Sequence, residues 1–151
     1  MHKFFACIAI ALSLLFVSAS PSCEAREALT QKIEGVVYYK GDTNLPTYSH
    51  GSGGFSVMEL DSAVLVNESK KTAVVDFYGF AVLFNRGWNA PVDPPEEYGF
   101  NTHRLIYHKD TGKSEVVLDG RYTYKMIEGE TKAGKLLYEH AAAAKSQTAD
   151  D

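Results

Sequence analysis

Asp76 is the residue whose setting most invites chemistry. It stands between Val74-Val75 and Phe77-Tyr78, in an otherwise apolar run. A carboxyl group among such neighbours resists ionisation and can serve as a general acid or base. With an imidazole beside it, the site would suit a small hydrolase or isomerase, and His103 and His108 are the candidates. They lie five apart in a β-rich run, so alternation sends them to opposite faces of a strand. The competing reading pairs Asp76 with Arg86, Arg104 or Lys125 and leaves it no catalytic part.

The five histidines are His2, His50, His103, His108 and His140. His103 and His108 face opposite ways on a strand and cannot chelate one metal, and no spacing supports a site of His50, His140 and a carboxylate, so no metal site is expected. The segment His50-Gly51-Ser52-Gly53-Gly54 sets a serine among glycines, as a nucleophile turn does. No acid precedes the serine, however, and no nucleophile elbow is present, so the segment reads as a flexible glycine loop. Glu96-Glu97 reads as a solvated pair. No cofactor motif is recognised, and none is expected.

Binding chemistry is better represented. Residues 85–101 hold Trp88, Tyr98 and Phe100 beside Pro91, Pro94 and Pro95. Rigid aromatic side chains lose little entropy on contact and make good anchors. The expected partner is a protein or an apolar small molecule. A formal net charge of -4 and the lack of any basic run argue against nucleic acid. The composition, 45% hydrophobic and 23% charged, is that of a globular chain.

Residues 1–25 read as a secretory signal. A short basic start is followed by an apolar run at 4–17, then by small residues up to Ala25. The apolar run is short for a bilayer core of about 30 Å. No membrane span is expected after cleavage, and the location implied is secreted or periplasmic. Both cysteines, Cys7 and Cys23, fall inside the signal, so no disulfide framework remains. Cys23 lacks the leucine expected three residues before a lipidated cysteine. Asn67-Glu68-Ser69 is a glycosylation sequon that matters only in a eukaryotic secretory route.

The remaining chain, residues 26–145, must form one domain that positions these groups. Residues 33–40 read as a first strand. Residues 56–66 read as two short strands with a turn near Asp61-Ser62, a helix being the competing reading. Residues 72–84 are apolar on both faces and read as one long buried strand, with a bulge or bend at Gly79. The three prolines make 85–101 an irregular loop. Residues 103–128 read as a three-stranded meander, turned at Asp110-Thr111-Gly112 and Asp119-Gly120. Residues 132–145 carry the helical period, and 146–151 read as a disordered tail.

Residues 104–124 (RLIYHKDTGKSEVVLDGRYTY) resemble a hairpin unit of six-bladed β-propellers of the gluconolactonase and strictosidine-synthase type. A propeller needs at least four blades, which this chain is too short to build, so the resemblance implies shared turn chemistry and no function.

The pattern as a whole predicts a mainly β fold, an antiparallel β-sandwich or small lipocalin-like barrel with a C-terminal α-helix. The favoured function is a non-enzymatic binding module of the cell envelope or secreted space. The alternatives are the Asp76 enzyme and a structural or accessory subunit.

Overall fold

The computed structural model describes residues 21–87, 90–118 and 120–149. Trp88 and the signal-like residues up to 20 lie outside them. The first element, α1 (Pro21–Leu29), runs across the Ala25–Arg26 bond. A hairpin follows, β1 (Thr30–Ile33) paired antiparallel with β2 (Val36–Tyr39). Sequence reading merged the end of this hairpin into one strand. Glu34 and Gly35 both take positive φ (50° and 85°), and this pair turns the chain back on itself.

The remaining strands are β3 (Thr47–Tyr48), β4 (Gly54–Met58), β5 (Val64–Glu68), β6 (Thr72–Asn85), β7 (Pro91–His108), β8 (Lys113–Leu118) and β9 (Tyr122–Lys125). They form one antiparallel sheet in the order β3-β4-β6-β7-β8-β9, with β5 also paired to β6. The sheet curls into a half-barrel, and the C-terminal helix α2 (Thr131–Ala149) packs on it, as the mainly β pattern predicted. A short 3-10 turn at Leu60–Ser62 divides β4 from β5, where the turn was expected. The helix continues to Ala149, past the point where its sequence pattern fades.

β6 is the axis of the fold, and its two halves bury opposite faces. Ala73, Val75 and Phe77 alternate into the larger core with Leu105, Tyr107 and Val116, under Ala133, Leu137 and Ala141 of α2. Val82 and Phe84 point the other way, into a second cluster with Tyr39, Phe55 and Val57, covered by Ala25 and Leu29 of α1. We call the face under α2 inner and the other outer. This exchange explains why 72–84 shows no amphipathic alternation. Each full burial of such a side chain contributes about 1.5–3 kcal/mol.

The reading of residues 85–101 as an irregular loop is corrected. β7 takes up most of that segment and pairs with β6 from Asn85↔Pro91 to Thr72↔His108. The ladder shifts register between Leu83 and Asn85, and Pro94 and Pro95 sit inside that shift. Prolines interrupt a ladder little at a bulge or on an edge strand, and β7 supplies both here. A second shift falls between Gly79 and Ala81, at the glycine singled out from sequence.

The meander is as expected, with β7, β8 and β9 in consecutive antiparallel register. Gly120, in the β8–β9 turn, has φ of 67°. Gly120→Val should therefore lower stability by about 1–2 kcal/mol, since a β-branched residue resists that conformation. Lys113→Val, on an exposed strand position, should be nearly neutral. Urea denaturation of the two variants checks this, and equal midpoints would refute the turn geometry.

Candidate functional site

Asp76 and Arg104 are direct neighbours across the β6–β7 ladder on the outer face. The guanidinium forks onto the carboxylate, Nε to Oδ1 at 2.7 Å and a terminal nitrogen to Oδ2 at 2.8 Å. This is the pairing anticipated as the alternative to catalysis. His103 opposes Phe77, one position along the ladder, so it belongs to the inner face, with its ring 5.6 Å from that of Phe77. His108 opposes Thr72, about 13 Å along the strand from Asp76, and approaches Glu115 at 3.9 Å. Asp76 and His103 thus stand on opposite faces of the sheet yet both line one notch, while His108 lies further along the strand. Asn67 sits exposed on β5, where its Oδ1 accepts the Glu68 N–H.

Tyr98 and Phe100, the aromatic candidates among the described residues, both lie on one strand edge. β8 covers β7 only from Arg104 to His108, so residues 91–103 of β7 pair on the β6 side alone among the described residues. Where β8 departs, a notch of about 290 Å³ opens beside Asn101, Thr102 and Val117. Phe100 stacks on Phe80 with centroids 5.0 Å apart and on Tyr78 at 6.3 Å. This outer-face row continues to Tyr39, which meets Phe80 edge-on at 5.8 Å. Despite these contacts Phe100 remains 46% exposed and Tyr78 40%.

Gly99 (φ 68°) explains how the two β7 aromatics part company. Gly79 opposes Asn101 and Ala81 opposes Tyr98, so two β7 residues answer to Phe80 alone. The left-handed glycine absorbs the extra residue and reverses the alternation, as in a β-bulge. Tyr98 consequently shares the face of Ala81, and Phe100 that of Phe80. Tyr98 is 51% exposed. The arm is moored to β2 by Glu97, which accepts from the Tyr39 hydroxyl at 2.5 Å and from Lys40 at 3.2 Å. Those two bonds hold the Glu97 carboxyl below its ordinary range, the Tyr39 bond foremost.

A polar cluster that sequence reading missed lies at the seam where the sheet curls round. Glu130, just before α2, has a side chain 1% exposed. Its Oε1 faces His50 Nδ1 at 2.9 Å, and its Oε2 accepts from the Tyr124 hydroxyl at 2.6 Å. The His50 and Ile127 backbone N–H groups donate to it at 3.2 and 3.3 Å. His50 Nε2 lies 2.8 Å from Thr47 Oγ1, whose hydroxyl donates to the Val37 carbonyl at 2.9 Å. The His50 ring thus bridges the Thr47 hydroxyl and the Glu130 carboxylate. His50 follows β3 and Tyr124 is on β9, the two ends of the sheet order, and Tyr48 and Tyr124 meet there with centroids 6.2 Å apart. Glu130 therefore closes by side chains a seam that backbone pairing leaves open.

The hydroxyl, imidazole and carboxylate follow the order of a nucleophilic triad. Thr47 is only 1% exposed and spends its proton on a carbonyl, so it offers no nucleophile to a substrate. No group of three metal-ligating side chains occurs among the described residues. Compared with family models, curated proteins and solved structures, the chain matches none of them.

Proposed function

We propose that this chain is a non-enzymatic binding module of the secreted or envelope space, and that it takes up an extended protein segment along β7. The observation carrying this is the open edge over residues 96–103, with Tyr98 rising on one face and Phe100 on the other. An added strand gains main-chain hydrogen bonds, and its alternate side chains meet one aromatic on each face. Long open edges invite uncontrolled association, and natural sheets blunt them with prolines and charges. Pro91, Pro94 and Pro95 serve that purpose at the tip and leave 96–103 for a partner.

Display of random dodecapeptides on the full chain tests the binding half. Selected peptides should slow amide exchange within 96–103, and Phe100→Ala should weaken them at least tenfold, about 1.4 kcal/mol, with the melting temperature little changed. Peptides that protect another element, or that ignore both Phe100→Ala and Tyr98→Ala, would refute it. The export half is tested by fractionation and intact mass. A product beginning at Arg26 supports it, whereas a full-length chain found only with cytosolic markers overturns it. Cleavage there removes the first part of α1 and keeps Leu29 on the second cluster.

No helix among the described residues is long and apolar enough to cross a membrane.

A further inference from the structure

A groove of about 580 Å³ lies beside the seam, with His50 and Glu130 in its lining. Its walls are α1, the β1–β2 hairpin and the turn that leads into α2. That volume falls in the range of small-molecule sites, about 300–1,000 Å³. Arg26 enters from α1 and Lys32 from β1, while Val37 and Ile127 supply apolar wall. Ile127 is 61% exposed and offers apolar surface at the groove.

The charges facing the groove are unequal in their availability. Glu130 is committed to His50, Tyr124 and two backbone N–H groups. Glu27, the other acid on the wall, is also engaged. Arg26 is half-buried, yet its guanidinium has no acid partner among the described residues, and the Lys32 ammonium has none either. A half-hidden guanidinium gains from a carboxylate or phosphate, which its planar fork fits in bidentate fashion.

We propose that this groove binds a small organic anion, a carboxylate or phosphate monoester on a short apolar body. The headgroup meets Arg26 and Lys32, and the body lies against Val37 and Ile127. The site is independent of the strand-addition reading.

The test uses the full chain, with hexanoate and hexyl phosphate as probes and hexanol and inorganic phosphate as controls. In an amide NMR titration, either probe should shift the signals of Thr30, Lys32, Val37, Ile127 and Gly129. Each control should bind at least tenfold more weakly. The double variant Arg26→Ala/Lys32→Ala should lose probe affinity at least tenfold, and Ile127→Ala should lose it for both probes. Ile127 gives the seam cluster only its backbone N–H, which alanine keeps, and Arg26 and Lys32 give it nothing, so the fold should persist, which circular dichroism checks. Sedimentation with phosphatidylglycerol vesicles that depends on Arg26 and Lys32 places the anion on a lipid headgroup, and none places it on a soluble molecule. Equal binding of hexanol, unchanged affinity in the double variant, or shifts confined to other elements overturns the proposal.

Discussion

His50→Ala should lower the free energy of unfolding by about 3 kcal/mol or more, the largest loss expected from any single polar residue here. The His50 ring is the basic side chain ion-paired with Glu130 among the described residues, and that carboxylate is almost wholly out of water. Removing one partner of a buried pair leaves the other charged and poorly compensated, which typically costs about 3–5 kcal/mol. The Tyr124 hydroxyl and two backbone N–H groups remain, and they place the loss toward the lower end. Combining His50→Ala with Glu130→Gln should cost less than the two single changes added together, because the orphaned charge is gone. The pH dependence has a definite sign. Burial pushes the Glu130 carboxyl up, but the bonds from His50 and Tyr124 outweigh it and hold the group below its ordinary 4.5. A depressed carboxyl stabilises the fold above its unfolded value and loses that contribution as the pH falls through the folded value. Stability should thus decline below about pH 4.5, and Glu130→Gln should flatten part of the decline. Glu68 and Glu97, also depressed, would keep the rest. On the alkaline side Tyr124, pushed up to about 12 by burial and by its bond to Glu130, should resist ionisation in a spectroscopic titration. Urea denaturation between pH 3 and 8 reads the acid-side effects. A His50→Ala protein within about 1 kcal/mol of wild type at pH 7 would show that the seam is held by something else.

Gly134→Val should be comparably damaging, again by about 3 kcal/mol, through a missing atom rather than a missing charge. Glycine inside a helix is ordinarily a weakness, and replacing it by alanine usually gains about 1 kcal/mol. Gly134 reverses that expectation. A Cβ there would overlap Ser114 Oγ on β8, and would lie 2.7 Å from Ser114 Cβ and 3.0 Å from Met126 Sδ. The helix would have to lift from the sheet, pulling Ala133, Leu137 and Ala141 from positions at most 2% exposed. Overpacking of this kind costs about 1–3 kcal/mol, and the branched valine should reach the upper end. Ser114 makes the cause testable. Its hydroxyl is buried with no hydrogen-bond partner, so trimming it forfeits no bond. Ser114→Gly should recover much of the loss in Gly134→Val. Thermal melts of the two single variants and the double variant decide it. Additive losses would mean that the helix is seated by other contacts.

Local chemistry in the sequence determined a good deal. The turns at Asp110-Thr111-Gly112 and before Arg121, the alternation through β8 and β9, and the helical stripe of α2 are all short-range signals. A residue's own conformational preference decides each of them, so β class, meander and C-terminal helix were legible in advance. The doubly apolar run of β6 was legible too, together with its irregularity at Gly79.

The rest depended on what lies across space. Three prolines forbid a central strand, and so 85–101 read as a loop. Only the tertiary structure shows that β7 is an edge over that stretch, and that its register shift takes up Pro94 and Pro95. Residues Glu34 and Gly35 turn a short hairpin that the β-branched composition around them concealed. Asp76 carried the sequence signature of a perturbed carboxyl. Its proper partner was Arg104, set opposite it by strand register, a quantity that no local pattern encodes. The Glu130 clasp was invisible for the same reason. His50 and Glu130 stand eighty positions apart, with unremarkable neighbours, and they meet only because the sheet curls far enough to bring β3 to β9. Short-range preference thus chose the elements. Pairing register and curl, which are properties of the whole chain, chose which side chains meet.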